Sequence, residues 1–253
     1  MKLIIQFGLR DLQLKGFIQK GSIPYELKIK SVNISYYMNF VNQVEKWLEE
    51  RKIFSRKRKS NKRRALGMLL YYAGLSYEKA GMFAGASYEA VREWYQKGRE
   101  FFEQSTVKKE RKRVAVDEKE LTINGTTIFI WGAVDLDDEK VIAVWVSLGR
   151  SGLEAKSFLK KIKSVCKGRL PRIFIDGGSW YPWALNAVRF KRYTVVSFGP
   201  RSAIERFFGD IECRIRRFWN GFIGKYSRDS MERWIKAFAG LRNWSKDSKG
   251  VLS

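Results

Sequence analysis

Three acids stand out by type and setting: Asp117 inside VAVDEKEL, Asp176 at the end of RIFID, and Glu205 in SAIERFF. The chain has no histidine. That removes Ser-His and Cys-His nucleophile systems, His-ligated zinc and imidazole acid-base catalysis together. Carboxylate oxygens are hard ligands, suited to Mg²⁺ or Mn²⁺. Two such ions about 3.5–4 Å apart activate a water and stabilise the leaving oxygen of a phosphodiester. Without a cation, three converging carboxylates repel and some protonate. Asp117, Asp176 and Glu205 are therefore the candidate catalytic residues and the candidate ligands of two metal ions. Glu212, farther along the same predicted helix as Glu205, is a rival third ligand. Asp135, Asp137, Asp138 and Glu139 lie at or beside a predicted hairpin tip and are assigned to turns or surface ion pairs.

The elements that must position these acids follow from the pattern after residue 112. RVAVDEKEL, TTIFIWGAVDLDDE and KVIAVWVSLGR read as three strands joined by turns at Asn124-Gly125 and Asp137-Asp138. GLEAKSFLKKIKSVC has helical spacing, with Leu153, Phe158, Leu159 and Ile162 expected on one face. A strand at RIFID, a helix near WYPWALNAV, a strand at YTVVSF and a long helix at AIERFFGDIECRIRRFW complete the series. This order is that of an α/β ribonuclease-H-like core: a mixed sheet in which parallel strands extend an antiparallel three-strand meander. In such sheets the cleft lies at the strand ends. Asp117 sits in the first strand, Asp176 ends the fourth, and Glu205 lies near the start of the last helix, so all three can face one cleft.

The rest of the chain is basic. Fifty Lys and Arg against 26 Asp and Glu leave a formal charge of +24 over 253 residues, which points to a polyanion, nucleic acid first. Residues 51–64, RKIFSRKRKSNKRR, hold nine Lys or Arg and no acid, and KKERKR at 108–113 is a second basic run; both read as phosphate contacts or linkers. Between them lies an apolar stretch at helical spacing that reads as three short helices. Within it, SYEKAGMFAGASYEAVREWYQ has a helix-turn-helix layout. Gly81 allows close approach, Gly85 supplies the turn, Ser87 caps the second helix, Val91 and Trp94 point inward, and Tyr88, Glu89, Arg92 and Gln96 face a major groove. Candidate DNA contacts are Arg56, Lys57, Arg58 and Lys59 in the first run, Ser87, Arg92 and Gln96, and Arg214, Arg216 and Arg217 in the last helix. The division expected is an N-terminal extension over 1–50, an all-α helix-turn-helix domain over 51–107 and the catalytic core over 108–253. Uncharged runs are too short for a membrane span and the N-terminus lacks a signal-peptide core, so a cytoplasmic, DNA-associated protein is expected. Cys166 and Cys213 are far apart and read as packed thiols.

Three blocks together carry a family resemblance: VDEKEL, in place of an Asp-Glu-Thr strand; IDGGSWYPWA around the second aspartate; and FGPRSAIERFFGDIECRIRRFWNGF around the glutamate. Over about residues 55–245 the chain resembles DDE transposases of insertion sequences, in particular archaeal members of insertion sequence family six. The resemblance implies a helix-turn-helix that binds element ends, Mg²⁺-dependent 3′-end cleavage and strand transfer on double-stranded DNA, and assembly as a homodimer. Two positions depart from the pattern: Glu212 stands where relatives carry Lys or Arg, and Ser202 where they commonly carry Asn. A nuclease of the same fold, or a non-catalytic DNA-binding remnant of a transposase, are the alternative functions.

Overall fold

A computed structural model describes residues 16–17, 28–29, 34–55, 58–123, 125–216 and 227–250. The chain divides into two compact units, Met1–Lys97 and Gly98–Ser253. The expected boundary at 107/108 lies ten residues inside the second unit, and part of the stretch expected as an extension packs within the first.

In the first unit, β1 (Gly16–Phe17) and β2 (Lys28–Ile29) form a short antiparallel pair, followed by helices α1 (Ile34–Glu50), α2 (Asn61–Tyr72), α3 (Tyr77–Ala84) and α4 (Tyr88–Lys97). Helix α1 packs on α2. Side-chain oxygens start the helices: Ser60 accepts from the Arg63 amide, Ser76 from the Lys79 amide and Ser87 from the Ala90 amide. Gly85 ends α3 in the left-handed region at φ 62°, and a Cβ on Gly81 would lie 2.5 Å from the Ala86 carbonyl. Both glycines are therefore required by the tight α3–α4 turn. Val91 and Trp94 are buried as expected, joined by Tyr95 and by a ring stack of Tyr71 on Tyr77 at 3.7 Å. The stretch expected to hold three helices holds four, because α5 (Arg99–Ser105) starts directly after Gly98.

The second unit continues from α5 with β3 (Arg113–Ile123), β4 (Thr126–Asp135), β5 (Val141–Ser147), α6 (Gly152–Ser164), β6 (Arg172–Ile175), α7 (Tyr181–Val188), β7 (Tyr193–Val195), α8 (Ser202–Arg216) and α9 (Arg228–Gly250). The sheet order is β5-β4-β3-β6-β7, with β3, β4 and β5 antiparallel and β6 and β7 added in parallel. This is the mixed sheet of a ribonuclease-H-like core. Strand alternation divides β3 between two helical layers. Val114 and Val116 join the core built with Phe158, Leu159 and Ile162 of α6 and Tyr181, Ala184 and Leu185 of α7. Asp117 and Lys119 face α8 instead, where they pair with Arg201 and Glu212. The sheet contacts α8 closely at Gly132, where a Cβ would stand 2.7 Å from Ile204 and 3.1 Å from Phe208. Helix α9 covers β5 and α5: Asn243 bonds both backbone groups of Val141, and a Cβ on Gly240 would meet the Phe102 amide at 2.6 Å.

Several local expectations need correction. Leu153 is 65% exposed, since it sits in the first turn of α6, ahead of the buried row Ala155, Phe158, Leu159 and Ile162. Asp135 serves the turn as expected, accepting the Asp137 amide at 3.1 Å, but it is buried rather than on the surface and pairs with Arg111 at 2.6 Å. Lys109 reaches Asp138 and Arg113 reaches Asp137, so these three cations of the second basic run neutralise the β4–β5 turn. Cys166 is buried but Cys213 is exposed. Of the first expected turn, Asn124 lies outside the described residues, while Gly125 is left-handed at φ 76°.

Candidate active site

Strands β3 and β6 run parallel, and their ladder ends at Ala115 opposite Phe174. Beyond that pair β3 continues while β6 stops at Ile175, and Asp117 and Asp176 each follow the last ladder pair by two residues. Their carboxylates stand side by side, one on β3 and one just past the end of β6. One oxygen of each is held by backbone: Asp117 Oδ1 accepts the Glu118 amide at 3.0 Å, and Asp176 Oδ1 accepts the Gly178 amide at 3.0 Å. Gly177 and Gly178 thus give Asp176 a short turn with an amide to orient it. Carboxylate oxygens of Asp117, Glu118 and Asp176 all lie within 4.8 Å of one another.

Glu118 was not singled out from sequence. Strand alternation sends it to the face opposite Asp117, and it does point toward α7, accepting the Tyr181 hydroxyl at 2.6 Å. The two carboxyls nevertheless converge, because Asp117 folds back over its own strand to the Glu118 amide. Arg150 stands 3.8 Å from Glu118, its guanidinium lying over the rings of Trp180 and Phe129. Glu118 immediately follows Asp117 in the sequence, which is the signal that could have found it.

Glu205 lies in the first turn of α8, its side chain 51% exposed, and is outside the 4.8 Å cluster. It is linked to that cluster through Arg201, whose Nη2 donates to Asp117 Oδ2 at 2.7 Å while Nη1 lies 4.0 Å from Glu205. Glu212 is directed elsewhere, pairing with Lys119 at 2.8 Å. The rival third ligand is therefore occupied away from the cluster.

The electrostatics reflect burial and crowding. Burial raises the Asp117 carboxyl above its ordinary value; the Asp176 charge adds to the rise, and Arg201 opposes it. Burial likewise pushes Glu118 up to about 7, against the Tyr181 hydrogen bond and with the help of the neighbouring aspartates. Tyr181 is raised by its own burial and by the Glu118 charge, so it stays a neutral donor. Burial works against the charged form of Arg201, but its hydrogen bond and charge contact with Asp117 prevail and raise it. A dense set of carboxylate oxygens, two of them on the raised Asp117 and Glu118, is a donor set that fits a hard divalent cation.

The candidate DNA contacts are dispersed. Arg58 is exposed, and Lys59 donates to the Gly85 carbonyl at the α3–α4 turn. Ser87 caps α4, on which Arg92 and Gln96 are half-buried while Tyr88 and Glu89 are exposed. Arg214 is buried at 5% exposure on the inward side of α8, away from the surface that a phosphate contact needs. Arg216 ends α8 but its side chain lies outside the described residues, as do Arg56, Lys57 and Arg217. Among the described residues no helix is long and apolar enough to cross a membrane.

Comparison with known proteins gives the arrangement its family. An uncharacterized protein of Methanocaldococcus jannaschii is 35% identical over 210 residues, covering 81% of this chain and 97% of that protein. Among solved structures, a chain of the simian T-cell lymphotropic virus intasome in complex with PP2A regulatory subunit B56 gamma matches with a TM-score of 0.41 at 17% identity, over 51% of this chain and 48% of that one, about half its length. The catalytic core domain of BIV integrase matches with a TM-score of 0.37 at 15% identity, over 49% of this chain and 80% of that one. The Mos1 strand transfer complex matches at 0.28 and 8% identity, over 91% and 79%. A model of the DDE domain of IS240-type transposases matches residues 111–247, a stretch that contains Asp117, Asp176 and Glu205, and the chain belongs to this family of DDE transposases.

Proposed function

We propose that the protein is an insertion-sequence transposase that binds element ends and catalyses 3′-end cleavage and strand transfer. The observation that carries this reading is the convergence of Asp117, Glu118 and Asp176 where two parallel strands part in a DDE domain, with Glu205 at the start of α8. Asp117 and Asp176 would hold divalent metal, with Glu205 completing the set from α8. A bound Mg²⁺ or Mn²⁺ supplies Lewis-acid charge for the attacking and leaving oxygens of a phosphodiester. The backbone amides of Glu118 and Gly178 fix one oxygen of each aspartate and so orient its carboxylate. Tyr181 and Arg150 hold Glu118 behind them. Two in-line displacements follow: water cleaves the element end and frees a 3′-hydroxyl, which then attacks a target phosphodiester. No covalent protein–DNA intermediate is required.

End recognition is assigned to the helix-turn-helix within residues 51–107, through Arg92 and Gln96 on α4, with Arg58 and Lys59 on phosphates. Two chains acting on two ends make a homodimer the working form. The test uses labelled element ends with Mg²⁺, Mn²⁺ or chelator. Wild type should cut and join strands only with metal, and Asp176→Ala should do neither while still binding ends. Cleavage without joining would identify a nuclease of the same fold; cleavage in chelator would overturn the proposal.

A further inference from the structure

Arg201 occupies the position that a metal-binding Asp117 needs free. Asp117 Oδ1 accepts one hydrogen bond, from the Glu118 amide, and Arg201 Nη2 sits on Oδ2 at 2.7 Å. The same guanidinium lies 4.0 Å from Glu205 and feels the charge of Asp176. One cation thus bonds Asp117 and stands beside Glu205. Its Nε is buried without a hydrogen-bond partner. The backbone of Arg201 is anchored, its carbonyl accepting the Ile204 and Glu205 amides at 3.0 Å as α8 begins. Departure of the guanidinium is therefore a side-chain rotation that leaves the helix and Glu205 in place.

Resting on the metal reading above, we propose that Arg201 is a built-in placeholder cation, which neutralises the acid cluster until a divalent ion displaces it from Asp117. A guanidinium hydrogen-bonded to Oδ2 opposes an ion coordinated by the same carboxylate, since two cations at such range repel. Without a divalent ion, the placeholder offsets the repulsion of the clustered carboxylates. It also lowers metal affinity, because each ion bound must first break a charge-assisted hydrogen bond. A fixed structural arginine predicts the opposite: its removal would loosen Asp117 and weaken metal binding.

Mn²⁺ binding to the full chain, followed by the loss of the free-ion electron paramagnetic resonance signal, separates these. Arg201→Gln should bind Mn²⁺ about tenfold more tightly than wild type, and Arg201→Lys should fall between. Asp176→Asn placed in the Arg201→Gln chain should weaken binding again. Wild-type protein with ¹⁵N-labelled arginine side chains provides a measurement that needs no stable glutamine variant. The Arg201 signal, assigned by its absence from Arg201→Lys, should shift as Mg²⁺ is added. Unchanged or weaker Mn²⁺ binding by Arg201→Gln, or an unmoved Arg201 signal while Mg²⁺ binds, overturns the placeholder and leaves the metal reading standing. Failure of both wild type and Arg201→Gln to bind Mn²⁺ overturns the metal reading and the placeholder with it.

Discussion

Glu118 has a titration that can be followed as stability. Burial pushes its carboxyl up to about 7 from an ordinary 4.5. A folded-state value above the unfolded one means that the native protein holds the extra proton, so stability falls as pH rises between those two values. Glu118→Gln keeps a partner for the Tyr181 hydroxyl and removes the charge. In chelator its melting temperature should decline less than that of wild type from about pH 5 to about pH 7 and exceed it near pH 8. Part of the slope should remain, because Asp117 is raised in the same direction. A wild-type-minus-variant difference that does not change with pH would refute this. The buried Arg111–Asp135 pair makes a second residue-scale prediction. Asp135→Ala leaves a guanidinium buried with its 2.6 Å partner gone and should cost about 3–5 kcal/mol in denaturant unfolding, whereas replacing both residues by apolar ones should cost far less.

At the scale of elements, the site depends on how closely α8 sits on the sheet. Gly132 pairs across the ladder with Asp117, and its missing side chain lets Ile204 and Phe208 approach. Gly132→Ala must displace those residues, at a cost of about 1–3 kcal/mol. Because Arg201 and Glu205 ride on the start of α8, strand cleavage should fall by more than the folded fraction does, measured on the same preparation. Wild-type cleavage per folded molecule would separate α8 seating from the chemistry. The α3–α4 turn is equally constrained: Gly81→Ala brings a Cβ against the Ala86 carbonyl, which is backbone and cannot rotate away. End binding should drop in that variant while Mn²⁺ binding by the second unit is retained.

For the whole molecule, the +24 charge and the helix-turn-helix predict separable terms in DNA affinity. Duplex binding should weaken steeply with salt, by about 0.9 in log-log slope per phosphate neutralised. Replacing Arg92 and Gln96 together should reduce preference for element ends more than total binding, because base-edge contacts carry sequence information and phosphate contacts do not. Filter binding of end and random duplexes across a salt series reads both quantities, and an unchanged end preference would count against α4 as the reading helix. The described cations divide between the two tasks. Arg111, Arg113 and Lys109 are engaged by the acids of the β4–β5 turn, which leaves exposed ones such as Arg58 for phosphates.

The order of elements from β3 to α8, the meander with parallel additions and the approach of Asp117 to Asp176 were legible in the sequence, because alternation and helical period are local and the fold restricts how such elements connect, whereas α1 and α9 were not expected. The turn glycines Gly81 and Gly85 were legible for the same reason. What the pattern could not supply was which side-chain ends meet. Alternation puts Glu118 on the far face from Asp117, yet the backbone amide between them draws the Asp117 carboxylate back so that both converge. Arg214 belongs to a basic segment and is buried by the seating of α8, while Asp135 belongs to a turn and is buried with Arg111. Above all, Arg201 reaches Asp117 from 84 positions along the chain. Local sequence determines the face a residue occupies. Only the packed structure decides which opposite charge fills the space in front of it, because that partner arrives on a different element.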